Sequence, residues 1–75
     1  MGPHKIERDG KTFTIGFERT PEGWLCRIRR EDDDATQLLA LADGAGYDPA
    51  DERGSLIAAC EAAIAVTAWP VLARH

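Results

Sequence analysis

Residues 55–73 read SLIAACEAAIAVTAWPVLA, and Glu61 is the only charged residue among them. Apolar residues recur three and four positions apart in this stretch, which predicts an α-helix. At 3.6 residues per turn, one side of the helix collects larger apolar side chains, and we expect this side to pack on a sheet. These side chains belong to Leu56, Ile57, Cys60 and Ile64.

The opposite side of the same helix is apolar too. A helix at the surface of a small domain normally presents a polar face to water. This side instead carries Ala58, Ala62, Ala65, Val66 and Trp69. One small sheet covers only one side of a helix, so we predict that these five residues bind a partner, which is a second copy of the chain or another protein. The alternative is that the chain's own residues beyond Pro70 fold back over them.

The ends of the helix are indicated by capping residues and prolines. Asp48 is a typical N-cap, and Pro49 is favoured at the first helical position. Pro70 disfavours a helical conformation at the preceding Trp69. We therefore predict a linker over residues 43–48, a helix over residues 49–69 and a tail over residues 70–75.

Two strands are predicted by alternation of apolar and polar residues between positions 11 and 30. The apolar rows consist of Phe13, Ile15 and Phe17 in the first strand and Trp24, Cys26 and Ile28 in the second. Pro-Glu-Gly locally suits a three-residue hairpin loop, which would pair Phe17 with Arg27 and separate the two rows. A four-residue loop pairs Phe17 with Cys26 and keeps the rows on one face, so we predict this register.

Two further segments are less regular. Asp9-Gly10 predicts a tight turn after residues 5–8, which form a short edge segment. Residues 35–42 are composed of good helix formers, yet a third strand would stabilise an otherwise marginal hairpin, so we predict a strand. The fold class is then α+β. We expect one domain over residues 1–75, in which a small antiparallel meander sheet of two to three strands, over residues 5–42, packs on one long C-terminal helix.

The charge distribution suggests a second kind of binding surface. The net charge is −4, but residues 1–30 carry seven Lys and Arg against four Asp and Glu. The four arginines of interest are Arg19, Arg27, Arg29 and Arg30. A basic hairpin face can bind RNA, although net acidity opposes phosphate binding. Nucleic-acid binding is therefore an alternative to protein binding.

Enzymatic, metal and membrane functions find little support in the sequence. Cys26 and Cys60 lack CxxC spacing and fall in apolar rows, as buried cysteines do. No Cys or Ser is expected beside a histidine base, so we predict no enzyme activity, no cofactor and no metal. The polar start, the alanine-rich helix and Glu61 predict neither a signal peptide nor a membrane span, and hence a cytoplasmic protein.

The order of elements resembles that of the small HicB-like antitoxin domains. Gly23-Trp24 opens the second strand, and Glu61-Ala62-Ala63-Ile64 lies on the helix, as similar short runs do in that family. The resemblance covers about residues 11–66 and lacks the family's proline-glycine stretch after the second strand. It implies a β-β-β-α fold, dimerisation, and neutralisation of a small ribonuclease toxin through acidic and helical surfaces. No functional residue transfers.

Overall fold

The computed structural model describes residues 1–66 of the chain. Its strands are β1 (His4–Arg8), β2 (Lys11–Thr20), β3 (Gly23–Arg30) and β4 (Thr36–Ala42). A 3₁₀ turn (Pro49–Asp51) leads into the helix α1 (Glu52–Val66). Trp69 of the predicted binding face, the last turn of the predicted helix and the tail over residues 70–75 lie outside the described residues.

The four strands form one antiparallel sheet in the order β1-β2-β3-β4, which confirms an α+β fold with a meander sheet. The sheet has four strands, whereas two to three were predicted. The predicted edge segment pairs with β2 along its whole length, because Ile6 buries its side chain opposite Phe13. The strand predicted over residues 35–42 is confirmed as β4, which supplies the buried Leu41 despite its helix-forming composition.

The hairpin registers follow from the apolar rows and the turn residues. Asp9 and Gly10 both have positive φ, at 53° and 76°, as a two-residue type I′ turn requires. Phe17 pairs with Cys26, which confirms the predicted register of β2 on β3. Pairing continues to the very end of both strands, so only Pro21 and Glu22 lie in the turn between them.

The helix begins where its capping residues predict. The Asp48 side chain accepts a hydrogen bond from the Ala50 N–H at 2.9 Å, and Pro49 follows as the first residue of the 3₁₀ turn. This first turn is tighter than the α-helix predicted for it. Such turns are common at helix N-termini, where the first N–H groups have no partner within the helix.

The core lies between the sheet and α1. The two predicted apolar rows of the hairpin and the predicted sheet-facing side of the helix all take part, although Phe17, Trp24 and Ile57 are only partly buried. The core also includes Ile6, Ala35 and Leu41, which the sequence analysis did not assign to it. The buried apolar residues are Ile6, Phe13, Ile15, Cys26, Ile28, Ala35, Leu41, Leu56, Cys60 and Ile64.

Candidate interaction surfaces

The structure divides α1 into a buried side and an exposed side. Leu56, Cys60 and Ile64 project into the core at a spacing of four residues, which places them on one stripe. The residues on the far side are exposed, and Val66 is 83% exposed. We call this set the outer face of α1; its described members are Ala58, Ala62, Ala65 and Val66.

The outer face of α1 carries very little charge. Between Ser55 and Val66 the only charged residue is Glu61, which is also exposed. Arg53 turns towards the sheet, where its guanidinium donates to the Gly2 carbonyl at 2.7 Å and lies 5.5 Å from the centre of the Phe17 ring. The outer face is therefore a strip of small apolar side chains in contact with water.

The four candidate arginines do not share one face of the sheet. Arg27 and Arg29 lie on the outer sheet face, which is the face turned away from α1, and both are exposed. Arg19 pairs in register with Trp24, and Arg30 pairs with Phe13, so these two arginines lie on the side that faces α1. Because side chains alternate along a strand, the predicted basic face is reduced to two residues.

Each of these arginines is also paired with a carboxylate. The ion pairs are Arg19–Asp43 at 2.9 Å, Arg27–Glu18 at 3.7 Å, Arg29–Asp34 at 2.8 Å and Arg30–Asp33 at 2.6 Å. The Arg30 guanidinium beside Asp33 lowers the pKa of that carboxyl to about 2. The arginine charges are thus largely neutralised within the chain, and a phosphate would have to compete with fixed carboxylates.

A cluster around Arg19 fixes the linker after β4 against the sheet. The Arg19 guanidinium donates to both carboxylate oxygens of Asp43 and to the Tyr47 hydroxyl, and it lies 5.6 Å from the centre of the Trp24 ring. The Tyr47 hydroxyl donates in turn to Asp43, and this hydrogen bond raises the pKa of Tyr47. Sequence reasoning missed this cluster, because residues far apart in the chain meet only through the strand register.

The two cysteines face each other inside the core. Cys26 on β3 and Cys60 on α1 are both fully buried, and a hydrogen bond joins their thiols. This hydrogen bond and burial raise the pKa of the Cys60 thiol. The same hydrogen bond lowers the pKa of the Cys26 thiol. Because both thiols are fully buried and out of reach of a substrate, the pair acts as core packing. Within residues 1–66 no group of three or more His, Cys, Asp or Glu side chains could hold a metal ion.

The free edge of the sheet at β4 is a second surface, which sequence reasoning missed. Strand β4 reads TQLLALA and contains no charged residue. The opposite edge, β1, reads HKIER and carries three charged residues in five. Leu38 on β4 points to the outer sheet face and is 56% exposed. The lack of charge in residues 36–42 can be read from the sequence. That these residues form an edge strand is known only from the strand order.

Comparison with known proteins adds no relative. No family model, no curated protein and no solved structure matches this chain. The HicB-like resemblance therefore stays a prediction. Among the described residues, no helix has the length and apolar character needed to cross a membrane.

Proposed function

We propose that this chain is a non-enzymatic interaction module that self-associates through the outer face of α1. The observation that supports it is the exposure of Ala58, Ala62, Ala65 and Val66 on a helix whose only charged residue beyond Ser55 is Glu61. Contiguous apolar surface left in water is a frequent mark of a protein-binding site. A second copy of the chain presents the same strip and is the simplest partner.

The size of the side chains favours a helix as the partner element. Alanine side chains are short, so two helices that meet along Ala58, Ala62 and Ala65 can approach closely and gain van der Waals contact along their length. A chain of this size also buries only about 60% of its unfolded surface, so further burial on association adds stability that the domain lacks alone.

The geometry of the arginines favours protein over nucleic acid as the partner. Nucleic-acid affinity comes mainly from cations that neutralise phosphates. Here Arg27 and Arg29 share the outer sheet face with Glu18, and each is engaged by a carboxylate. RNA binding through the hairpin remains a prediction without an observation that favours it.

Sedimentation equilibrium from low to high micromolar concentration tests this proposal. The weight-average mass of the wild type should rise above the 8.2 kDa of one chain as the concentration increases. In Ala62→Arg, a charge would be buried in the contact and would face its own copy, which weakens association by at least about tenfold. Ala45→Arg introduces the same charge in an exposed loop and should associate like the wild type.

Two outcomes would contradict the proposal. A wild-type chain that stays at 8.2 kDa throughout would show that it does not self-associate. If the variants Ala62→Arg and Ala45→Arg self-associate equally well, the outer face of α1 is not the contact. Circular dichroism of each variant checks that the fold is unchanged, which is expected because both alanines are exposed.

A further inference from the structure

The two edges of the sheet are protected to different degrees. Natural proteins protect sheet edges from pairing with charged side chains, prolines, bulges or short strands. Strand β1 has five residues, and Lys5, Glu7 and Arg8 line it. Strand β4 has seven residues, pairs with β3 at every position from Thr36 to Ala42, and contains neither a proline nor a charge. Among residues 1–66 no strand pairs with the far side of β4, so this edge is open to another strand.

The hydrogen bonds at the two ends of β4 show which backbone groups reach the free edge. Arg30 N–H donates to the Ala35 carbonyl just before β4, and Asp43 N–H donates to the Glu22 carbonyl just after it, both at 2.8 Å. Antiparallel pairs alternate between hydrogen-bonded and non-hydrogen-bonded residues, so the odd-numbered residues of β4 bond to β3. The residues whose N–H and C=O groups point to the free edge are Thr36, Leu38 and Ala40, because the Ala42 carbonyl already accepts from the N–H groups of Ala45 and Gly46.

These positions are compatible with pairing of β4 to a second β4. In an antiparallel pair, even-numbered residues must meet even-numbered residues for their backbone groups to bond. The register centred on Leu38 satisfies this and joins all three of these residues in each copy. Leu38 then lies opposite Leu38 of the second copy, and Thr36 lies opposite Ala40 of the second copy.

The side chains and charges fit the same partner. On the outer sheet face, the half-exposed Leu38 would gain an apolar neighbour, Leu38 of the second copy. No like charges meet, because the strand has none, and the acids at its two ends are each neutralised within their own chain, Asp34 by Arg29 and Asp43 by Arg19. A charged peptide would find no counter-charge along this edge.

We propose that the β4 edge pairs antiparallel with β4 of a second copy, in the register centred on Leu38, and joins two sheets into one. This inference rests on the proposed self-association and adds a backbone-mediated contact to the side-chain contact at α1. The two contacts use different elements, so each can be removed without the other.

Amide hydrogen exchange of the wild type, followed by NMR at several concentrations, reads this contact directly. In a single chain no residue of the described part bonds to the N–H groups of Leu38 and Ala40, so we expect them to exchange fast, whereas that of Leu39 is protected by its bond to β3. At high concentration the amides of Leu38 and Ala40 should become protected, and that of Leu39 should change little. The odd-numbered residues thus serve as an internal control.

Ala40→Pro tests the contact in sedimentation. Proline removes the outward N–H and leaves the β3 ladder intact, which edge strands tolerate. We expect Ala40→Pro and Ala62→Arg each to lower the mass reached at high concentration, and the double variant to stay at 8.2 kDa. Leu38→Lys, at a half-exposed position that a single chain tolerates, provides a second variant should Ala40→Pro fail to fold.

The outcomes separate the two proposals. Unchanged exchange of Leu38 and Ala40, with a mass that rises with concentration and falls in Ala62→Arg, would overturn the β4 contact and leave the α1 contact standing. Concentration-dependent protection together with a reduced mass in Ala40→Pro or Leu38→Lys would support the β4 contact. A mass of 8.2 kDa at every concentration would overturn both.

Discussion

Replacement of Leu56 by alanine tests the orientation of α1, on which the outer face depends. Leu56 is fully buried between α1 and the sheet. Leu→Ala removes about three carbons at about 0.8 kcal/mol each, and the cavity left behind raises the total to about 2.7–5.0 kcal/mol. At about 0.05–0.15 kcal/mol per residue, a chain of 75 residues has a free energy of unfolding of about 4–11 kcal/mol. The variant should therefore lose a large part of its stability.

Urea unfolding followed by circular dichroism measures the loss. With an m-value of about 1 kcal/mol per molar urea, as for the smallest domains, the midpoint should fall by about 3–5 M. The experiment is run at low micromolar concentration, because association would add to the apparent stability. Leu38→Ala is the matched control: the same atoms are removed from a side chain that is 56% exposed, and the cost should stay under about 1 kcal/mol.

Equal losses in Leu56→Ala and Leu38→Ala would refute this reasoning. They would show that the side of α1 carrying Leu56 does not pack on the sheet. The set Ala58, Ala62, Ala65 and Val66 would then not be the outer face, and the proposed contact at α1 would lose its basis.

Three further predictions concern the turns and the core. Arg30 lowers the pKa of Asp33 from 3.8 to about 2. This carboxylate therefore stabilises the fold above pH 4, and its contribution is lost as the pH falls towards 2. The thermal unfolding midpoint of Asp33→Asn should fall less than that of the wild type over this range. Gly23→Ala should cost at least about 1–3 kcal/mol in urea unfolding, because a Cβ there would clash with the Leu41 carbonyl oxygen, a backbone atom of β4. Cys26 and Cys60 should react with a thiol reagent only after denaturation, since both are fully buried.

The fold was largely predictable from local patterns. Alternating residues gave two strands, Asp9-Gly10 gave a type I′ turn, and Asp48-Pro49 gave the start of the helix. The register of β2 on β3 also followed, because a slip by one residue would have moved a whole apolar row into water. The strand count was wrong, because a short charged segment such as β1 gains its stability only by pairing with a neighbour.

Of the candidate surfaces, too, one part could be predicted from the sequence and another part could not. The sequence by itself determined that α1 has two apolar sides, since helical periodicity alone sorts Leu56, Cys60 and Ile64 from Ala58, Ala62 and Ala65. Only the tertiary structure decided that the candidate arginines are split between two faces and engaged by carboxylates, and that β4 is an uncharged open edge. The physical reason is that periodicity is a property of one element, whereas ion pairs, strand order and sheet edges exist only once distant segments have paired.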